Sequence, residues 1–142
     1  MHKPNLTKIQ RCILAILEEA GNENVATIIN SAIRNSGRRN ELNAIQVALD
    51  GLLKHELIKI INFDARAHEW VSCREEESYA FLTSLGSLVY WSDSIKAWTM
   101  QENVSSLEVA LTEGGMIEAR EILKNEGYPE LNSILICTSD EL

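Results

Sequence analysis

Apolar residues recur at helical spacing three times within the first 54 residues of the chain. Each series places its apolar side chains on one face, at i, i+3, i+4 and i+7, as expected for a helix that packs on one side. Thr7, Asn24 and Asn40 are suited to cap these helices, and Gly21 and Gly37 are suited to end the first two. The predicted helices cover residues 7–20, 24–36 and 40–54. Short helices joined by tight turns bury their apolar faces only by packing together, so the pattern predicts a three-helix bundle.

The pattern changes abruptly after the third helix. Residues 57–63 form a β-branched run that predicts a strand, and residues 78–82 are interpreted as its hairpin partner. Further along, residues 95–100 favour a short strand over a continuation of a helix that begins near Leu85. Residues 106–111 also have a strand pattern, and Thr112 is suited to cap a helix over residues 113–125 that Gly127 ends, with Ile117, Ile122 and Leu123 facing inward.

Two motifs resemble winged-helix transcriptional regulators of the MarR and PadR type. In the first, Ala48-Leu49, Leu52-Leu53 and Leu57-Ile58 fit the pattern aL..L...GLI, although Glu56 replaces the usual glycine. In the second, Tyr79, Leu82, Thr83 and Gly86 fit the motif Y.LT..G, which closes the wing of many such proteins. The resemblance implies an α+β, mainly helical fold: a winged helix-turn-helix with a three-helix bundle and a β-hairpin wing. It implies a winged-helix domain over residues 6–91 and an acidic α/β extension, suited to dimerisation, over residues 92–142.

The closing motif occurs twice, as LTSLG at residues 82–86 and as LTEGG at residues 111–115. We prefer LTSLG as the motif that closes the wing. In the alternative, residues 57–111 form one long, elaborated wing region and LTEGG closes it. After this helix, Tyr128-Pro129 breaks the pattern. Residues 133–138 are apolar and β-prone, so we expect them to pack on the body of the protein or on a second subunit.

The resemblance also implies a DNA-binding site, because in such proteins the outward side of the third helix enters the major groove. Asn43 and Gln46 can pair with adenine edges, and Arg34, Arg38 and Arg39 are placed for phosphates. Two predicted outward carboxylates, Glu41 and Asp50, count against DNA contact. The full candidate set is Arg34, Arg38, Arg39, Asn40, Asn43, Gln46, Lys54 and Arg66.

The charge distribution keeps a second interpretation open. The formal net charge is −8, with +1 in residues 1–70 and −9 in residues 71–142. Phosphate binding requires Lys and Arg, so the acidic half argues against general nucleic-acid binding. The alternative is a winged-helix protein–protein interaction module with an acidic surface and little or no DNA binding, in which the acidic half binds a protein partner.

The cysteine spacing and the absence of catalytic motifs argue against several classes of protein. Cys12, Cys73 and Cys137 are far apart and odd in number, which favours reduced thiols in the cytoplasm over disulfides or a zinc site. No apolar run is long enough to span a membrane, and the first residues lack the apolar core of a signal peptide. Catalytic and nucleotide-binding motifs are absent. We therefore expect a non-enzymatic homodimer that binds double-stranded DNA without a cofactor or a membrane.

Overall fold

The computed structural model describes residues 4–102, 106–128 and 135–142 of the chain. It is a mixed α+β structure that contains a small antiparallel sheet. Its elements in chain order are α1 (Lys8–Ala20), β1 (Asn22–Glu23), α2 (Val25–Ala32), β2 (Ile33–Arg34), α3 (Arg39–Lys54), β3 (Ile58–Asp64), β4 (Glu69–Ser72), α4 (Glu75–Thr83), α5 (Leu85–Leu88), β5 (Val89–Ser92), β6 (Ala97–Met100), β7 (Leu107–Leu111), α6 (Glu113–Glu126), β8 (Cys137–Thr138) and a 3-10 turn (Ser139–Glu141).

The first two helices begin where the sequence predicts. The Thr7 hydroxyl accepts a hydrogen bond from the Gln10 amide at 3.2 Å, and the Gln10 side chain accepts one from the Thr7 amide at 3.0 Å. This reciprocal pair satisfies two amides that a helix start leaves without partners. Asn24 caps α2 through a 2.8 Å bond from the Thr27 amide. The predicted caps Thr7 and Asn24 are confirmed.

Two predicted boundaries around the second turn are wrong. The second helix ends at Ala32 rather than at Gly37, because the next two residues form β2 and pair in parallel with β8. The third helix begins at Arg39, with Arg38 in the capping position and no side-chain cap. Asn40 therefore lies inside the first turn and does not cap it.

The end of α3 shows how Glu56 replaces the usual glycine. Glu56 has φ of 59°, in the left-handed region that favours glycine. The Leu57 amide donates to the Leu52 carbonyl at 3.0 Å and the Glu56 amide donates to the Leu53 carbonyl at 3.0 Å. This pair of bonds is a Schellman motif, which ends the helix and turns the chain directly into β3.

The main sheet joins strands from both ends of the chain. Its order is β1-β7-β3-β4, and all its pairings are antiparallel. Because β7 lies between β1 and β3, the chain continues from β3 into the edge strand β4 and returns to the middle of the sheet only with β7, at Leu107. We call residues 65–106, which contain β4, α4, α5 and the β5–β6 hairpin, the insertion between β3 and β7.

The predicted second wing strand, residues 78–82, is wrong. These residues belong to α4, which begins with Glu75, Glu76 and Glu77 in its first turn. Carboxylates at a helix N-terminus interact favourably with the helix dipole, and Arg74 Nε contacts Glu77 Oε1 at 3.0 Å. The strand that pairs with β3 on this side is β4 instead. The predicted strand at residues 95–100 is confirmed as β6, but Val89 starts β5 instead of continuing a helix.

The two LT..G motifs have different structures. Thr83 is the last residue of α4, and its hydroxyl donates to the Ala80 carbonyl, so Thr83 does not cap a following helix. Thr112 follows β7 and caps α6: its hydroxyl accepts from the Gly115 amide at 3.0 Å and donates to the Glu56 carbonyl at 2.6 Å. The second motif is therefore the one that follows a strand of the main sheet and ties it to the end of α3.

The apolar core lies between α1, α2, α3 and the sheet. Cys12 through Leu17 are almost completely buried in α1, and α6 packs on this helix. Ile122 faces inward as predicted and Leu123 is half-buried, but Ile117 is 63% exposed, which contradicts its predicted inward position. Leu135 and Cys137 are buried, which confirms that this segment packs on the body of the protein. Pro129, Ser133 and Ile134 lie outside the described residues.

Candidate functional site around the third helix

Glu41 lies at the centre of the interactions around the start of α3. Its carboxylate accepts hydrogen bonds from the Ser36 amide at 2.8 Å, the Ser36 hydroxyl at 2.9 Å and the Gly37 amide at 3.0 Å. The indole Nε1 of Trp98 donates a fourth, at 3.1 Å. Glu41 is completely buried, so its predicted outward position is wrong. The reason is that the amides of Ser36 and Gly37, in the turn between α2 and α3, point at the first turn of α3. These amides need an acceptor there, and Glu41 provides it.

These hydrogen bonds decide the charge of Glu41. Burial alone raises the pKa of a carboxyl group, but the bonds from Trp98 and Ser36 favour the charged form, and the pKa of Glu41 is lowered overall. Neutral donors therefore hold Glu41 as a buried carboxylate, which has no exposed atoms with which to contact a ligand at the surface of α3.

Trp98 brings the inserted β5–β6 hairpin onto the helix-turn-helix. Its amide donates to Asn30 Oδ1 at 2.9 Å, and Asn30 Nδ2 donates back to its carbonyl at 2.9 Å. Its ring also packs edge-to-face on Trp91, with ring centroids 5.6 Å apart. A side chain at Gly37 would collide with the Trp91 ring. The hairpin therefore covers the turn between α2 and α3 and fixes its shape.

The three predicted phosphate-binding arginines point to different neighbours. Arg38 pairs with Asp140, with 2.8 Å between Arg38 Nη1 and Asp140 Oδ1, and these side chains remain 60% and 87% exposed. Arg39 reaches towards α5, where its Nη2 lies 3.5 Å from the Gly86 carbonyl. Arg34 is exposed in β2, opposite Thr138 of β8.

Residues 139–142, which we call the acidic segment, lie against the start of α3. Asn40 Nδ2 donates to the Ser139 carbonyl at 3.2 Å. Lys8 of α1 pairs with Glu141, with 3.1 Å between Nζ and Oε2. The segment thus contacts two of the candidate DNA-binding residues, Arg38 and Asn40. The sequence does not predict a role for residues 139–142 at this site. No local pattern could have identified these contacts, because Arg38 and Asp140 are 102 residues apart.

The outward face of α3 combines polar and apolar side chains. Asn43 is exposed, Gln46 is half-buried, and Val47 is 72% exposed. Asn43 and Val47 line an open groove of about 660 Å³, together with Ile9 of α1 and Leu142. The groove runs between the start of α1, the middle of α3 and the acidic segment. The most exposed part of this helix face is therefore bordered by an apolar groove.

Two candidate residues lie away from the start of α3. Lys54 is at the other end of the helix, which is about 24 Å long at 1.5 Å per residue. It pairs with Asp50 at 2.8 Å, and this hydrogen bond raises the pKa of Lys54. Arg66 is exposed at the tip of the β3–β4 hairpin, in a turn that the Asp64 carboxylate holds by accepting from the Arg66 and Ala67 amides. The structure therefore gathers Arg34, Arg38 and Asn40, and separates Lys54 and Arg66 from them.

The three cysteines are free thiols, as their spacing predicts. Burial raises the pKa of Cys12 to about 12 and also raises the pKa of Cys137. Cys73 is half-buried, and its pKa is raised by burial and by Glu77. Within the described ranges, no three His, Cys, Asp or Glu side chains are grouped in a way that could hold a metal ion.

Comparison of this chain with protein-family models, with curated proteins and with solved structures gives no match. In residues 4–102, 106–128 and 135–142, no helix has the length and apolar character needed to cross a membrane. Any function assigned to the site around α3 must therefore be argued from the geometry of this chain.

Proposed function

We propose that this chain is a winged-helix DNA-binding protein that regulates transcription through its third helix. The observation that supports this most strongly is the interleaving of helices and strands. The strand β1 lies between α1 and α2, β3 follows α3, and β7 pairs with both. We infer from this order that β3 and β7 are the two wing strands, with residues 65–106 inserted between them and with LTEGG in the closing position.

The surface of α3 supports the proposed mode of binding. Asn43 and Gln46 carry amides that can pair with adenine edges in the major groove. Around the start of the helix, the exposed side chains of Arg34, Arg38 and Arg39 can contact phosphates on either side of the groove. Glu41 is buried and bonded to the turn, so it is not one of the side chains that α3 presents to DNA.

The remaining parts of the proposal concern assembly and compartment. We propose a homodimer, because helix-turn-helix proteins commonly read two half-sites related by two-fold symmetry. Exposed apolar side chains at Ile117 and Tyr128, on and just after α6, offer a surface for a second copy. The three free cysteines are suited to a reducing compartment such as the cytoplasm. The proposed role is binding rather than catalysis.

The test is fluorescence anisotropy of a labelled mixed-sequence duplex, titrated with the protein at about 50 mM and about 200 mM salt. Non-specific binding to phosphates should appear at low salt with a dissociation constant of about 100 µM or tighter, and should weaken steeply as salt rises. If the protein does not change the anisotropy at either salt concentration, the proposed function is wrong.

A pair of matched variants locates the site. Arg38→Ala with Arg39→Ala should weaken binding to all sequences and reduce the slope of log affinity against log salt by about two. Arg120→Ala with Lys124→Ala removes the same charge from exposed positions on α6 and should leave the slope nearly unchanged. Equal effects of the two pairs would show that the arginines at α3 are not a specific contact.

One observation favours a second function, a protein-binding module. Val47 is highly exposed beside the apolar groove, and Leu142 lines the same groove. Because Val47 lies on the α3 face assigned to DNA, Leu142→Ser is the substitution that separates the two functions. It should weaken binding of a protein partner in the groove, whereas it should leave duplex binding nearly unchanged because it changes no side-chain charge.

A further inference from the structure

The acidic segment contacts the same residues that the proposed function assigns to DNA. Asp140 places a carboxylate oxygen 2.8 Å from the Arg38 guanidinium, which is the distance of a charge-assisted hydrogen bond to a phosphate oxygen. The Ser139 carbonyl accepts from Asn40 at 3.2 Å. Toward α3, this segment therefore presents the same kind of acceptors, anionic and neutral oxygens, that a nucleic-acid backbone would present.

The acidic segment is held in position by contacts before it and within it. Before it, β8 pairs with β2, and this pairing aligns Arg34 with Thr138. Within it, Ser139 is buried and Glu141 pairs with Lys8 of α1. Asp140 itself is anchored only by Arg38 among the described residues and is highly exposed. The segment is thus docked at defined points, but the contact made by Asp140 is open to solvent and to competition.

We propose that the acidic segment is an autoinhibitory element that competes with DNA phosphates for Arg38 and Asn40. This inference rests on the proposed function of α3 and concerns the regulation of that same site. A phosphate that contacts Arg38 must displace Asp140 and approach Glu141, so the segment lowers affinity by competition and by repulsion. Exposed ion pairs are weak, so the element adjusts affinity by a small factor and does not block binding completely.

The test uses Asp140→Asn with Glu141→Gln in the full chain, measured against a labelled mixed-sequence duplex at low salt. Removing both charges should tighten binding about three- to five-fold, since an exposed ion pair of this kind corresponds to at most about that factor. The gain should fall towards nothing at about 200 mM salt, where exposed charges are screened. Circular dichroism confirms that the variant is folded.

Glu75→Gln with Glu76→Gln is the matched control. It makes the same change in net charge, from −8 to −6, at two exposed positions in the first turn of α4. Autoinhibition is supported if the segment variant binds the duplex more tightly than wild type and the control variant does not. It is also supported if the segment variant binds the duplex and the other two proteins do not. Equal affinities of wild type and both variants, or an equal gain in both, overturn it while the proposed function stands. If no protein binds the duplex, the proposed function fails and the inference falls with it.

A double-mutant cycle tests the competition at its contact. Arg38→Ala should weaken binding less in the wild-type background than in the variant background, because in the wild type a phosphate competes with Asp140 for the guanidinium. In the background of Asp140→Asn with Glu141→Gln, the same substitution should weaken binding about three- to five-fold more. An effect of Arg38→Ala that is equal in both backgrounds contradicts competition between the segment and DNA for this side chain.

Discussion

At the scale of single residues, Glu41 shows how a charged side chain comes to be buried near the surface. A polar residue at a predicted outward position of a helix is normally solvated. Here the preceding turn provides two amides and a hydroxyl, and the inserted hairpin adds the Trp98 indole. The helical spacing of α3 is visible in the sequence, but these donors come from residues as far as 57 positions away. The burial of Glu41 was therefore not predictable from its helix alone.

Glu41→Gln should lower the free energy of unfolding by about 2–4 kcal/mol at pH 7, because the amide removes a charged acceptor from several buried donors. The pKa of Glu41 is lowered in the folded state, so its contribution is fully present above the unfolded pKa of about 4.3 and is lost as pH falls through the folded value. Chemical denaturation of both proteins between pH 7 and pH 3 checks this.

Glu76→Gln, at an exposed position, is the control and should change the free energy of unfolding by less than about 0.5 kcal/mol at every pH. A difference between wild type and Glu41→Gln that is independent of pH would contradict the charged-acceptor role.

At the scale of elements, the helices of the first 54 residues were predictable and the path of the insertion was not. Caps and apolar spacing are local signals, and they locate α1, α2 and α3 to within a few residues. The aromatic and apolar run at residues 79–82 has a strand composition, but three glutamates before it favour a helix start, and the helix prevails. Strand order is also hidden from sequence, since β7 pairs with residues about 50 and 87 positions earlier. Local sequence therefore does not reveal that LTEGG, and not LTSLG, follows a strand of the main sheet.

The two glycines of LTEGG allow a direct test of this element. A Cβ at Gly115 would collide with the Leu57 carbonyl at the end of α3, whereas a Cβ at Gly114 would meet only ordinary contacts, at 3.8 Å or more. Gly115→Ala should therefore lower the free energy of unfolding by about 2 kcal/mol or more. Gly114→Ala should be neutral or stabilising by up to about 1 kcal/mol, because alanine favours the helix. Urea denaturation of both variants checks the pair, and equal effects would show that the close approach of α6 to Leu57 is not required.

At the scale of the whole molecule, the insertion packs directly on α2, on α3 and on the turn between them, so we expect these parts to unfold together. The β5–β6 hairpin docks on α2 through Asn30, on the turn through the Trp91 ring, and on α3 through Glu41. The acidic segment contacts the same helix start through Arg38 and Asn40. The candidate DNA-binding surface is therefore framed by two parts of the chain that are distant in sequence. The resemblance proposes the residues of that surface, and it gives no indication of the parts of the chain that frame it.

Asn30→Ala tests this cooperativity, because Asn30 makes both backbone bonds that dock Trp98. Loss of these bonds should lower the free energy of unfolding by about 2 kcal/mol. Asn125→Ala, at an exposed helical position on α6, carries the same change in helix propensity and should cost nothing. Since Asn30 and Glu41 hold the same tryptophan, Asn30→Ala combined with Glu41→Gln should destabilise by less than the sum of the single effects. Strict additivity in urea denaturation would mean that the hairpin and the turn are held independently, and that the insertion does not stabilise the surface of α3 as one unit.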